Sequence, residues 1–252
     1  VKDGTRTAEL MHIVTSSKAE DCNWFGQDKK GGIWKIHVEL TTVLRPAELL
    51  YISHVGKALD MSPSPRGLYL AVLGEGSRLT IWDIVKKKLV FSHQSMKHEI
   101  STILWLSEKA LTSGCAMVAG YTTGLVKVFI IQLKEKLSDP KTVPVKFDDT
   151  NEVNWIHPIQ MLKPHTEKVT CLASNQEGTL VFSGSQDKTV FIYSIKDVPD
   201  KHIVNLEPLG FVDVLGSVSH LYWDSEDSTS LLVSTTNGYT VQVRIPAQPT
   251  NC

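Results

Sequence analysis

Residues Pro164–Ile195 read PHTEKVTCLASNQEGTLVFSGSQDKTVFIYSI. A His opens the stretch, an apolar run follows, and turns then separate two further apolar runs. The pattern is that of a small antiparallel meander, with polar turn residues between short β-prone segments. It is repeated. A slide of 111 residues lays HVGKALDMSPSPRGLYLAVLGEGSRLTIWDI (His54–Ile84) on His165–Ile195 without a gap. His54 then falls on His165, Gly67 on Gly178 and Trp82 on Tyr193.

Three further copies are recognisable on either side and between these two. The first has runs at Met11–Thr15, Cys22–Phe25 and Ile33–Val38, with Gly31-Gly32 as the hairpin and Leu49–Ser53 as an outer strand. The third spans Ile100–Ile131 with its hairpin at Thr123-Gly124, and the fifth spans Val218–Ile245 with Asn237-Gly238 at the place of Asp187-Lys188. Gly and Asn at these points supply the positive φ that tight hairpins demand. With Ile36, Trp82, Phe129, Tyr193 and Val243 as equivalent positions, the spacings are 46, 47, 64 and 50 residues. Only the third interval is out of step. The excess falls in residues 132–154, which mix Lys, Asp and Pro with few large apolar residues and read as an exposed, dispensable surface loop or a docking arm. Trp155–Leu162 resumes as an outer strand, and Leu68–Leu73 is apolar throughout, as expected of a strand covered on both faces.

Repeats of this length made of four strands each are the units of a β-propeller. The fold expected is all-β, with about five four-stranded blades at residues 8–53, 54–97, 98–162, 163–209 and 210–246. Open ends would leave sheet faces and edges exposed, so the five are expected to be part of a larger ring of seven or eight, with the rest elsewhere in a longer chain, and a ring closed with five blades is the alternative. The pair Trp82-Asp83 and the turn Ser183–Asp187 make the repeat resemble the WD40 family. That resemblance implies a buried hydrogen-bonded set of His, Ser or Thr, Asp and Trp. Matched position by position, it is offered by His165, Ser183 and Asp187, with Tyr193 where the Trp belongs. The second repeat retains only His54 and Trp82, because Val72 and Gly76 stand at the Ser and Asp positions.

The chain has 26 basic and 27 acidic residues, a net charge of -1, and therefore no overall attraction to nucleic acid or an anionic membrane. No apolar run has the length of a membrane span. Cys22, Cys115, Cys171 and Cys252 share no C-x-x-C spacing, which suits reduced thiols in an intracellular protein. His93 and His98 have no Cys or carboxylate at ligand spacing, no phosphate-binding loop opens a helix, and no G-x-S-x-G occurs, so no metal, cofactor or catalytic residue is expected. Lys86–Lys88 reads as a solvated turn, and the Ser62-Pro63 and Ser64-Pro65 pairs as turn residues rather than phosphorylation sites.

The fourth and fifth repeats run Asp187–Tyr193, Pro208–Phe211, Trp223, Leu231-Leu232, Asn237-Gly238 and Val241–Pro246. This order resembles the later propeller of the large cilia- and flagella-associated WD-repeat proteins of the dynein tether-head type. The resemblance implies a non-enzymatic scaffold that anchors a motor complex in the axoneme, with axonemal dynein and microtubule-associated proteins as partners. A cytoplasmic or ciliary location would follow. A WD adaptor in ribosome assembly, ubiquitin ligation or signalling would share the fold. A propeller enzyme would need an ionisable cluster at the central channel, and the sequence names none.

Overall fold

The computed structural model describes residues 9–15, 22–38, 46–52, 56–95, 97–108, 110, 115–132, 155–198, 203–224 and 229–245. Five antiparallel sheets account for almost all of them. The first is β1 (Leu10–Thr15), β2 (Asn23–Asp28), β3 (Gly32–His37) and β4 (Glu48–Ile52). The second is β5 (Ala58–Pro63), β6 (Tyr69–Gly74), β7 (Arg78–Asp83) and β8 (Lys88–Gln94). The third is β9 (Ile100–Trp105), β10 (Cys115–Tyr121), β11 (Val126–Gln132) and β12 (Trp155–Leu162). The fourth is β13 (Val169–Ser174), β14 (Leu180–Ser185), β15 (Thr189–Val198) and β16 (Ile203–Asp213). The fifth has three described strands, β17 (Val218–Trp223), β18 (Ser230–Thr235) and β19 (Thr240–Arg244). The protein is a five-bladed propeller unit. The innermost strands touch in the series β1, β5, β9, β13, β17, and among the described residues β17 and β1 make no contact like that between neighbours.

Strand registers show how closely the blades repeat. The chain of paired residues Thr15, Trp24, Ile36 recurs as Pro63, Leu70, Trp82; as Trp105, Met117, Phe129; as Ser174, Val181, Tyr193; and as Trp223, Leu231, Val243. Each inner strand also carries a one-residue bulge at the same place, at Met11, Leu59, Ser101, Thr170 and Ser219. A bulge bends and twists its strand, which is what a strand near a propeller axis must do. A second bulge lies in each outer strand. In blades 3 and 4, Pro158 and Pro208 sit directly beside it, where the missing N–H disturbs the ladder least. Every β-hairpin between the second and third strands has a left-handed residue at a common position, Gly31 (φ 82°), Ser77 (58°), Gly124 (79°), Lys188 (67°) and Gly238 (86°), and in blade 2 Gly76 (68°) is left-handed as well.

Two expectations need correction. The fourth blade extends beyond residue 209, because β16 stays paired with β15 as far as Asp213. Leu68 is 43% exposed and stands before the buried strand, whose six residues Tyr69–Gly74 are all covered. The inserted segment falls outside the described residues except for Gln132, as do His54 and Cys252.

The core lies between blades, not within them. β6 and β14 are buried on both faces, as a sheet sandwiched between two others requires. One cluster joins Ala71, Leu73 and Ile81 of blade 2 to Ile103, Met117 and Tyr121 of blade 3. Another joins Val118, Val128 and Ile130 of blade 3 to Val169, Val181 and Tyr193 of blade 4. Neighbouring blades also match in size at the last residue but one of the second strand. Gly120 faces Val169 and Gly184 faces Val218, and a Cβ on either glycine would lie 2.5 Å from the valine's Cγ1.

This predicts a sharp contrast between two glycines. Gly184→Ala forces blades 4 and 5 apart and should cost about 1–3 kcal/mol, as overpacking in a filled core does. Gly210→Ala, with nothing within 4 Å of the added carbon, should leave stability unchanged or slightly raised. Equal melting temperatures for the two variants would show that the blades do not meet at Gly184.

Candidate functional site: the polar set of blade 4 and the inner rim

The turn leading into β13 brings His165 between β14 and the following hairpin. Its Nε2 is 2.8 Å from Ser183 Oγ, and its Nδ1 is 3.1 Å from Asp187 Oδ2 and 3.0 Å from Thr189 Oγ1. Ser183 Oγ is 3.2 Å from the Tyr193 hydroxyl. The four residues named from the sequence are therefore brought together, and the phenol reaches the serine although no indole is present. One assignment of protons satisfies every member: Tyr193 donates to Ser183, Ser183 donates to Nε2, and Nδ1–H donates to the Asp187 carboxylate. Asp187 also accepts from Thr189 Oγ1 at 2.6 Å, from Thr189 N–H at 3.0 Å and from Thr166 N–H at 2.9 Å. Thr189 was not singled out in the sequence, though its place two residues after an Asp is the mark of an Asx-type turn.

Electrostatics agree with this assignment. Burial, the largest influence, pulls His165 below its ordinary 6.5, against the opposing pull of the Asp187 carboxylate. Burial works in the other direction on Asp187, but the bonds from Thr189 and Thr166 outweigh it and hold the carboxyl below its usual range. The imidazole is neutral and the carboxylate ionised. This His, Ser and Asp also bear on catalysis. Ser183 is 0% and His165 1% exposed, so the hydroxyl meets no substrate, and its oxygen is already engaged by Tyr193.

Of the partial set in blade 2, Trp82 is described. Its indole N–H donates to Thr80 Oγ1 at 3.2 Å, and Thr80 in turn donates to the Val72 carbonyl. A threonine two residues earlier on the same strand thus replaces the serine of the neighbouring strand. Trp82 also stacks on Tyr51 of blade 1, with ring centroids 3.7 Å apart. Ser62 and Ser64 are buried acceptors, for Trp105 N–H and Tyr69 N–H respectively.

Polar ties between blades are a feature that the sequence reading missed. Gln27 accepts from Ala58 N–H at 2.6 Å and donates to the Gly56 carbonyl, so its amide acts as a stretch of strand edge for blade 2. Gln160 does the same for Leu206 of blade 4, at 2.8 and 2.9 Å. On the inner rim the Ser101 and Thr170 hydroxyls donate to Val169 and Val218 carbonyls of the next blade. Asp60 accepts from Thr102 Oγ1 and Ile103 N–H of blade 3, and its own burial raises its pKa despite them. Its neighbour on that rim, Cys171, has its thiol pushed up to about 12, chiefly by burial, and is inert at neutral pH. Cys22, Cys115 and Cys171 are free thiols. Among the described residues no group of three His, Cys, Asp or Glu is placed to hold a metal ion, and no helix is long and apolar enough to cross a membrane.

Comparison with known proteins follows this geometry. Residues 156–194, which hold the whole polar set, match the family model described as WD domain, G-beta repeat. The chain is similar to Cilia- and flagella-associated protein 44 of Mus musculus, 25% identical over 248 residues that cover 96% of this chain and 12% of that protein. The chain thus spans about an eighth of that relative's length. A chain in the crystal structure of a mitotic checkpoint complex shares the fold, with a TM-score of 0.63 and 12% identity over 97% of this chain and 66% of that one.

Two stability predictions follow from the polar set. Asp187→Ala strands His165 and should cost about 1–3 kcal/mol, whereas Tyr193→Phe removes one neutral bond and should cost about 0.5–1.5 kcal/mol. Denaturant titration separates the two, and an Asp187→Ala midpoint equal to the parent's would mean that the set carries no stability. The second concerns pH. A His held below its unfolded value adds stability that is whole above about 6.5 and declines as the pH falls below it. Asp187 contributes in the same sense, since its lowered carboxyl loses stability only as the pH falls through the acid range of its folded state. Melting temperature should therefore fall between about pH 7 and pH 5, and His165→Gln should flatten that decline. A slope unaffected by His165→Gln would assign it to other groups.

Proposed function

We propose that this chain is part of a non-enzymatic scaffold of the ciliary axoneme, which holds a motor complex through protein contacts. The observation that carries the reading is the similarity to a cilia- and flagella-associated protein along nearly the whole chain, in a fold built of WD40-type blades. The arrangement of polar groups supports it. Asp60 on the inner rim and His165 and Asp187 in blade 4 are bonded to backbone or side chains of neighbouring strands and blades, where they hold the fold rather than face a substrate. A propeller offers partners a rigid surface of loops and strand edges at little ordering cost. The partners proposed are axonemal dynein and microtubule-associated proteins, and no nucleic acid or membrane, in keeping with the near-neutral charge. Met11, Ile13 and Trp24 on the outer face of blade 1 are 53%, 47% and 38% exposed, which supports burial of that face by a further blade in the complete protein.

The test is fractionation of cilia that carry a tagged copy of the complete protein. It should stay with the demembranated axoneme through detergent extraction and leave with motor complexes only in high salt. Complete release in the detergent wash would overturn the axonemal reading.

A further inference from the structure

Blades 2 and 3 share a packed core but leave a cleft open beside it. At the outer part of the first junction, Tyr51 covers Trp82 at 3.7 Å, and at the third the Gln160 amide bridges to Leu206. At the second junction Phe129, the counterpart of Trp82, is only half-buried and faces a cleft of about 460 Å³. β8, Ser95, Lys97 and His98 form one wall, and β10, β11 and Pro158 form the other. Leu79, Ile100, Met117 and Phe129 make the cleft apolar inside.

The charge of the cleft is one-sided. Lys97 and Lys127 line it beside His93 and His98, and among the described residues no Asp or Glu does. This departs from the balanced charge of the chain as a whole, -1 over 252 residues. Lys127 has no carboxylate partner among the described residues. Its Nζ rests 4.7 Å above the centre of the Tyr121 ring, which holds the ammonium in place by its quadrupole and leaves the charge unneutralised. Tyr121 also makes an edge contact with the His98 ring. Its phenol is kept protonated by burial, so it adds no negative charge.

We infer that this cleft is a docking site for an acidic segment of a partner protein, with an aromatic or aliphatic side chain entering against Phe129 and Pro158 and carboxylates meeting Lys127 and Lys97. The inference rests on the scaffold reading above and gives that scaffold one specific contact. Charge complementarity selects the occupant, since a basic or purely apolar segment would leave the ammonium groups facing like charge or no charge at all. The size suits one anchor residue and its flanks, the usual form of a local hot spot.

The test uses the whole chain and a fluorescent synthetic peptide of Glu and Asp around a central Phe-Leu pair. Two control peptides carry Lys for the acids or Ala for Phe-Leu. The acidic peptide should bind, weaken as salt is raised, and bind at least about tenfold better than either control. Lys127→Ala should weaken it about tenfold, and Lys97→Glu, at an exposed position, should do so without altering the melting temperature. No binding of the acidic peptide, equal binding of the Lys-bearing control, or indifference to Lys97→Glu each overturns the proposal. Axonemal retention of the Lys97→Glu protein tells the two readings apart. Loss of peptide binding with retention intact leaves the cleft assignment and the scaffold both standing. Absence of peptide binding by the parent with retention intact removes the cleft alone.

Discussion

A blade of this protein has two apolar faces and no core of its own, so everything in the structure depends on the contact between one sheet and the next. Burying β6 or β14 on both faces requires a neighbour on each side, and the stabilisation, about 25 cal/mol per Å² of apolar surface, appears only when the blades meet. The glycines at 120 and 184 exist on these terms. Each gives up its side chain where the next inner strand presents a valine, which lets the strands approach at the narrow end of the wedge. Toward the wide end the gaps are larger and are filled by Tyr51 or by Gln160, and between blades 2 and 3 by neither.

The same geometry explains which polar residues are found inside. Strand ladders satisfy the backbone within each blade but provide nothing across the junctions, where strands from different sheets face one another without a common register. Gln27 and Gln160 meet unpaired backbone groups of the next blade with amides that offer both a donor and an acceptor. Ser62, Ser101, Thr170 and Asp60 do so with single groups. Each of these sits where apolar packing alone would strand an N–H or carbonyl away from water, at a cost of a few kcal/mol.

What could be read from the sequence was what depends on neighbours in the chain. The five hairpins are local events, in which a left-handed residue follows a strand, and Gly31, Gly124, Lys188 and Gly238 mark them at one point of the repeat. Asp187 belongs to such a hairpin, and its set with His165 and Ser183 could be named because the repeat resembles the WD40 family position by position. The fourth blade's end at Asp213 was not legible, because nothing in Pro208–Phe211 signals a break or a continuation, and the pairing with β15 decides it. Nor was the Thr80 substitute for the missing serine, since a threonine in a strand is ordinary and only the position of Trp82 gives it a partner. The glutamine ties and the cleft depend on residues of different blades and have no local signature.

The two outermost faces of the five blades are unlike each other, and the difference bears on how the unit is completed. The free face of blade 1 is apolar, with Met11, Ile13 and Trp24 open to solvent. That of blade 5 carries His220, Tyr222 and Gln242, with Gln242 bonded to Ser230 across its own sheet. A further blade set against blade 1 would gain from removing apolar surface from water, as the internal junctions do. One set against blade 5 would have to satisfy polar groups as well, in the manner of Gln27 or Gln160. The two faces would therefore select differently among surfaces set against them, the blade 1 face by apolar burial and the blade 5 face by hydrogen-bond matching.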